Sequence, residues 1–257
     1  MATGLTGGTP VTKRIDRFVT GGCLIFLVLL IVIGGSLLAA LWYRLWSTEN
    51  TTNRNRAAAE VEHRERIDRA ARESAQALRA SAATDPATLT ALIGKHTRAP
   101  VITYNATHKE FTAKVEMSTI YDTAHLLTVG VERIVSCEVF TYTPGPDRAW
   151  RVDLTTRETA TCRPGKQIGD LAHRARQVLE NLNGDLMTVA EAQRVLDQAR
   201  SPGRLIVRNV THDKRTTTVS ALLADATKTV GQCYRLTMSR PGNQVPSPAT
   251  ATPTSLC

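Results

Sequence analysis

The chain has 257 residues, a formal net charge of +9 and five cysteines. Its length allows one or two domains. The basic excess favours anionic neighbours, but there is no Lys/Arg block of nucleic-acid type. Aromatics make up only 5%, which argues against a base-stacking surface.

Residues 1–12 are small and polar and read as a disordered start. Residues 18–43 carry no charged side chain. As a helix they would extend about 39 Å at 1.5 Å per residue, enough to cross a hydrocarbon core of about 30 Å with tilt. A cleavable signal has an apolar core of roughly 7–15 residues, so the segment reads as a retained anchor. Cys23 precedes most of the apolar run, which is poor for a lipoprotein signal, and reads as an inert apolar residue. Trp42, Tyr43 and Trp46 cluster at the far end, as an interfacial aromatic belt does. Gly34, Gly35 and Ser36 would allow close helix packing, but ordinary small-residue tolerance in a membrane helix is the favoured reading. Lys13, Arg14 and Arg17 flank one end, and Arg44, Arg54 and Arg56 the other, so charge leaves the orientation tied. Beyond the anchor 29 basic and 22 acidic side chains remain, an excess of +7.

The cysteines break the tie. Cys137, Cys162, Cys233 and Cys257 fall in two pairs separated by 25 and 24 residues. They lack CxxC spacing and the histidines are scattered, so no metal or other cofactor is expected. Disulfides in an oxidising compartment fit better, which puts the bulk of the chain outside and residues 1–17 in the cytoplasm. Residues 101–117 and 205–221 align without a gap at six identities: Ile102/Ile206, Asn105/Asn209, Thr107/Thr211, His108/His212, Thr112/Thr216 and Val115/Val219. On that repeat Cys137 corresponds to Cys233 and Cys162 to Cys257. Repeats tend to close on themselves, so the expected bridges are Cys137–Cys162 and Cys233–Cys257.

Residues 47–55 read as a polar linker. Residues 57–83 then read as a stalk helix carrying four acid-to-base i,i+4 pairs, among them Glu62–Arg66. It is expected to pack on the domain only late, through Ala71, Ala75 and Leu78. Asp85 caps a helix with Pro86 at its first position, and Gly94 is expected to end it. Strands are predicted at 101–104, 112–117, 129–142 and 149–160. Residues 163–169 look like a Pro/Gly linker, and Asp170 is expected to cap a helix ending near Asn183-Gly184. Thr188 and Glu191 spell a capping box. Strands follow at 205–210, 216–223 and 232–238, and residues 241–256 look loose. The predicted fold is α+β: an anchor (18–43), a linker and stalk (44–83), and two tandem helix–helix–sheet units (84–163 and 164–257), each with one disulfide.

Candidate chemistry is sparse. His108 and His212, in the paired N-x-T-H segments, are weak ligand candidates; a duplicated hairpin turn explains them without function, since Asn and His suit turn conformations. Asn50, Asn105 and Asn209 match the N-x-[ST] sequon, which has no meaning in a bacterial chain, the favoured reading, and would mark two sugar sites on turns in a secretory eukaryotic one. His63 and His173 read as solvated, His96 as a charge suited to a helix end, and His125 as buried or at an edge. Ser136 has no G-x-S-x-G context, and no catalytic motif is visible. The layout resembles bacterial single-pass envelope proteins with small cystatin-like or NTF2-like ectodomains, including conjugation-channel scaffolds with two such domains after a signal anchor. The resemblance rests on the anchor, the helix at 57–83 and the two helix–helix–sheet units; it implies architecture and no functional residue. The expected function is non-catalytic: an envelope protein whose partners are the bilayer and other envelope proteins, with self-association left open and no nucleic acid. The alternatives are binding of a small ligand or anionic polymer and, behind it, a tethered hydrolase.

Overall fold

The computed structural model describes residues 12–124, 128–146, 149–182, 188–199, 202–213, 216–239 and 248–257, with side chains from residue 25 onward. The predictions for residues 1–11, for the side chain of Cys23, for His125 and for a helix end at Asn183-Gly184 lie outside them. Helix α1 spans Thr12–Ala80. Among the described residues one helix is long and apolar enough to cross a membrane, and its apolar stretch, from Ile25 onward, is wholly unburied.

By its contacts the chain divides into two compact units. The smaller takes in α1 up to Ala57 together with Tyr121–Glu132. The expected linker at 47–55 is helical here. Thr51 Oγ1 donates 2.8 Å to the Ser47 carbonyl, and Thr48 Oγ1 2.8 Å to that of Leu45. Farther along, Thr52 Oγ1 accepts from the Ala124 amide at 3.0 Å and Asn55 Nδ2 donates to the Asp122 carbonyl at 2.9 Å. Side chains that compete with a helix in isolation are satisfied on it.

The larger unit holds Ala58–Ile120 and Arg133–Cys257. Asp85 caps α2 (Pro86–Thr97) by accepting from Thr88 N at 2.8 Å. Strands β1 (Val101–Asn105), β2 (Glu110–Ala124), β3 (Val129–Pro144) and β4 (Trp150–Arg157) form a sheet in that order. A 3-10 turn, Thr159–Cys162, leads into α3 (Arg163–Glu180), followed by α4 (Val189–Leu196). The second sheet, again in chain order, comprises β5 (Arg204–His212), β6 (Thr216–Ala224), β7 (Gly231–Ser239) and β8 (Ala249–Thr254). The bridges are Cys137–Cys162 and Cys233–Cys257, with Cα atoms 5.6 and 5.1 Å apart. Each ties the third strand of a sheet to the chain just past its fourth.

Alternation of buried and less buried residues along β2, β6 and β7 puts one face of each sheet on a core. Ile67, Leu78, Leu89 and Ile93 cover Ile102, Phe111, Phe140 and Tyr142. Ile168, Leu171, Ala175, Leu179 and Leu196 cover Leu205, Val219, Leu223, Leu236 and Met238. Val101 belongs to the second cluster although it lies in β1. Gln232 joins the sheets: its Oε1 accepts from Ile102 N at 2.8 Å and its Nε2 donates to the Thr254 carbonyl at 2.7 Å. Tyr234 OH donates to the Pro100 carbonyl at 2.8 Å.

Several local expectations are corrected. Gly94 lies inside α2, which continues to Thr97 and ends on Arg98 at φ 57°. A Cβ on Gly94 would come within 2.6 Å of Pro253 Cγ, so close approach explains that glycine. The supposed linker at 163–169 is the first two turns of α3. Pro164 suits the helix start, and Gly169 admits Pro100, whose Cβ would lie 3.1 Å from an added Cβ. The loose segment contains β8, paired to β7 from Cys233↔Thr254 to Met238↔Ala249. The stalk is also buried earlier than expected, along Ala59, His63, Ile67, Ala70, Ser74 and Leu78. Ala71 and Ala75 are only partly covered. The stripe has helical spacing but too few large apolar side chains to stand out.

Candidate functional site

Between the helices and the first sheet lies a cleft of about 380 Å³. Leu78 of α1 and Leu89 of α2 form one wall; Tyr104, Phe111 and Trp150 form the other. The aromatic rings are in contact, with centroids 4.6 Å apart for Tyr104–Phe111 and 5.8 Å for Phe111–Trp150. These positions follow from pairing, because Tyr104↔Phe111 face each other across β1 and β2. The hairpin turn between them brings Lys109, at φ 52°, to the rim. Asn105 Oδ1 shapes that turn by accepting from the amides of Thr107 at 3.0 Å and His108 at 3.4 Å. Apolar aromatic walls with, among the described residues, one cationic rim residue suit an apolar or amphipathic guest.

His108 stands exposed on this turn and does not line the cleft. Its sequence counterpart is built differently. The chain bulges between Val207 and Asn209, and β5 runs on through His212, so His212 lies in a strand where His108 lies in a turn. Nδ1 of His212 lies 3.2 Å from Thr217 Oγ1. His108 thus sits on a turn of the first sheet and His212 in a strand of the second, in unlike settings. Among the described residues no trio of His, Cys, Asp or Glu could hold a metal.

His63, read as solvated, is only 5% exposed. Its Nδ1 lies 3.0 Å from Thr119 Oγ1 on β2 and its Nε2 2.7 Å from Ser136 Oγ on β3. Burial holds its pKa below the usual 6.5; Glu138 acts against that shift and Arg66 with it. Glu138 is itself buried and accepts from Thr156 Oγ1 at 3.0 Å. A hydroxyl beside a histidine suggests a nucleophile and its base, but the second ring nitrogen faces a threonine hydroxyl where a hydrolytic triad would have a carboxylate. Neither His63 nor Ser136 lines the aromatic cleft. The arrangement is a buried polar clamp joining α1 to two strands. Only the helical spacing from Ala59 through His63 to Ile67 could have pointed to it in the sequence. His96 has Nδ1 3.7 Å from Glu73 Oε2, and His173 is exposed.

No protein-family model matches the chain, and no curated protein matches it in sequence. One solved structure aligned with it is described as an "Ntf2 like protein involved in plasmid conjugation". It is 10% identical, with 60% of this chain and 74% of that one covered, at a TM-score of 0.18. A likeness at that level carries no functional argument.

Proposed function

We propose that the chain is a membrane-anchored, non-catalytic component of a cell envelope, with its α+β body outside and serving as a docking element for other envelope proteins. The observation that carries this reading is the unburied apolar stretch of α1 in a chain whose body holds two disulfides. Apolar surface of that extent is costly in water and favourable in a bilayer. Disulfides persist in oxidising compartments, and a body outside leaves residues 1–17 in the cytoplasm. The two sheets, each preceded by helices and each closed by a bridge from its third strand, read as a duplicated unit.

Two measurements test the proposal. Blocking free thiols in intact cells, followed by a non-reducing peptide map, is expected to return both bridges; four free thiols would reverse the orientation. Cross-linking followed by purification of the full-length protein is expected to recover specific envelope proteins, and their absence would remove the docking role.

The aromatic cleft favours a second reading, an ectodomain that binds a small amphipathic ligand with its anionic end at Lys109. That reading predicts saturable binding of an apolar carboxylate probe, weakened by Lys109→Ala and abolished by Leu89→Trp.

A further inference from the structure

Within the smaller unit, the end of β2 is hydrogen-bonded to α1 just past the aromatic belt. Ala124 N donates to Thr52 Oγ1 and Asn55 donates to the Asp122 carbonyl. Thr52 is six residues beyond Trp46, about 9 Å along a helix. The head-group region on each side of a bilayer is roughly 5–8 Å thick. The end of β2, and with it the start of β3, is therefore held beside the outer edge of the layer in which Trp42, Tyr43 and Trp46 would sit. Val129 and Val131, on one face of β3 because strand side chains alternate, are 78% and 65% exposed. An open valine pair is costly to leave in water, and among the described residues of the unit nothing covers it. Two acids there, Asp122 and Glu132, are exposed, and Glu132 accepts from Tyr121 OH at 2.5 Å. On the adjoining stretch of α1, Arg44, Arg54 and Arg56 outnumber Glu49, a balance that attracts anionic head groups.

We infer that the start of β3 is a second membrane contact: Val129 and Val131 enter the interfacial layer of the bilayer that α1 spans, and fix the rotation of α1 about its axis. This rests on the anchoring reading of α1. One transmembrane helix leaves such rotation free, whereas a second contact offset from its axis sets which side faces a partner.

The test uses the full-length chain carrying Cys23→Ala, reconstituted in vesicles of zwitterionic and anionic phospholipid. Single labels are placed through Val129→Cys, Val131→Cys, Trp46→Cys or Thr103→Cys, and quenching by lipids with a nitroxide near the head group is read. The inference expects quenching at 129 and 131 several-fold stronger than at 103 and comparable to that at 46. Quenching at 46 with none at 129 and 131 overturns the inference and leaves the anchor standing. No quenching at 46 removes the anchor reading itself. Protein-concentration-dependent excimer emission from pyrene at 129 would assign the valine face to a second copy and overturn the lipid contact. Val129→Trp, read with brominated lipid, gives the same answer without a new thiol.

Discussion

His63 is held by two hydroxyls and little water, and its folded pKa lies below that of the unfolded chain. The unfolded state therefore takes up the proton first as pH falls. Stability from this site is full above about pH 6.5 and declines below it, through the folded pKa. Denaturation midpoints between pH 7.5 and 5.5 are expected to fall for the wild type and to change less for His63→Gln, with NMR titration of the ring giving the folded value. Asp225 has the same sign in a lower window. Its carboxylate accepts from Val230 N at 2.8 Å, from Thr229 Oγ1 at 3.1 Å and from Thr227 Oγ1, within the β6–β7 turn. Chiefly through the Thr227 hydroxyl, and then through the Val230 amide, its pKa is lowered to about 2. The stability it contributes is present above its unfolded value of 3.8 and is lost toward pH 2. Thermal melts over that range are expected to drop less steeply for Asp225→Asn. Neither site was legible beforehand. His63 sits among Glu and Arg as a solvated residue would, and Asp225 acquires its role only when the turn closes.

Element starts marked by a local cap were legible at α2 and α4, but not at α3, which begins at Arg163 and holds the expected cap Asp170 within it. The caps at Asp85 and at Thr188/Glu191 are local patterns, and both form: Thr188 Oγ1 accepts from Glu191 N at 3.2 Å while Glu191 accepts from Thr188 N at 3.0 Å. Gly94 reads in sequence as a helix stop, yet it is the point where α2 meets Pro253, 159 residues onward. Gly94→Ala would raise helix propensity by about 1 kcal/mol but overpack this contact at a cost of roughly 1–3 kcal/mol. Net destabilisation is expected on urea denaturation, and Pro253→Ala in the same chain is expected to relieve it. Likewise, residues 47–55 and 163–169 looked like linkers because Thr, Asn, Pro and Gly favour loops. Each became helical where a distant segment, the β2 backbone or Pro100, supplied the partner.

At the scale of the molecule, Gln232 and Tyr234 bind the first sheet's β1 segment to the second sheet. Gln232→Ala would leave the buried Ile102 amide unpaired, at about 1–3 kcal/mol. Hydrogen exchange at Ile102 is expected to quicken far more than exchange at Val219, in the core of the second sheet. Each disulfide closes a loop of about 25 residues, worth roughly 3.5 kcal/mol in the chain-entropy model. The double change Cys137→Ser with Cys162→Ser should lower unfolding stability by about that amount and leave Cys233–Cys257 in place on a non-reducing map. The apolar helix, the α+β class and the cysteine pairing follow from the sequence by itself. A charge-free run, local periodicity and even cysteine spacing are properties of the chain read in order. The buried stripe on α1, the clamp around His63, the aromatic cleft, the β5 bulge and the junction of the two sheets were decided by the tertiary structure. Each depends on residues far apart in sequence whose partners exist only once the strands are paired and the helices packed.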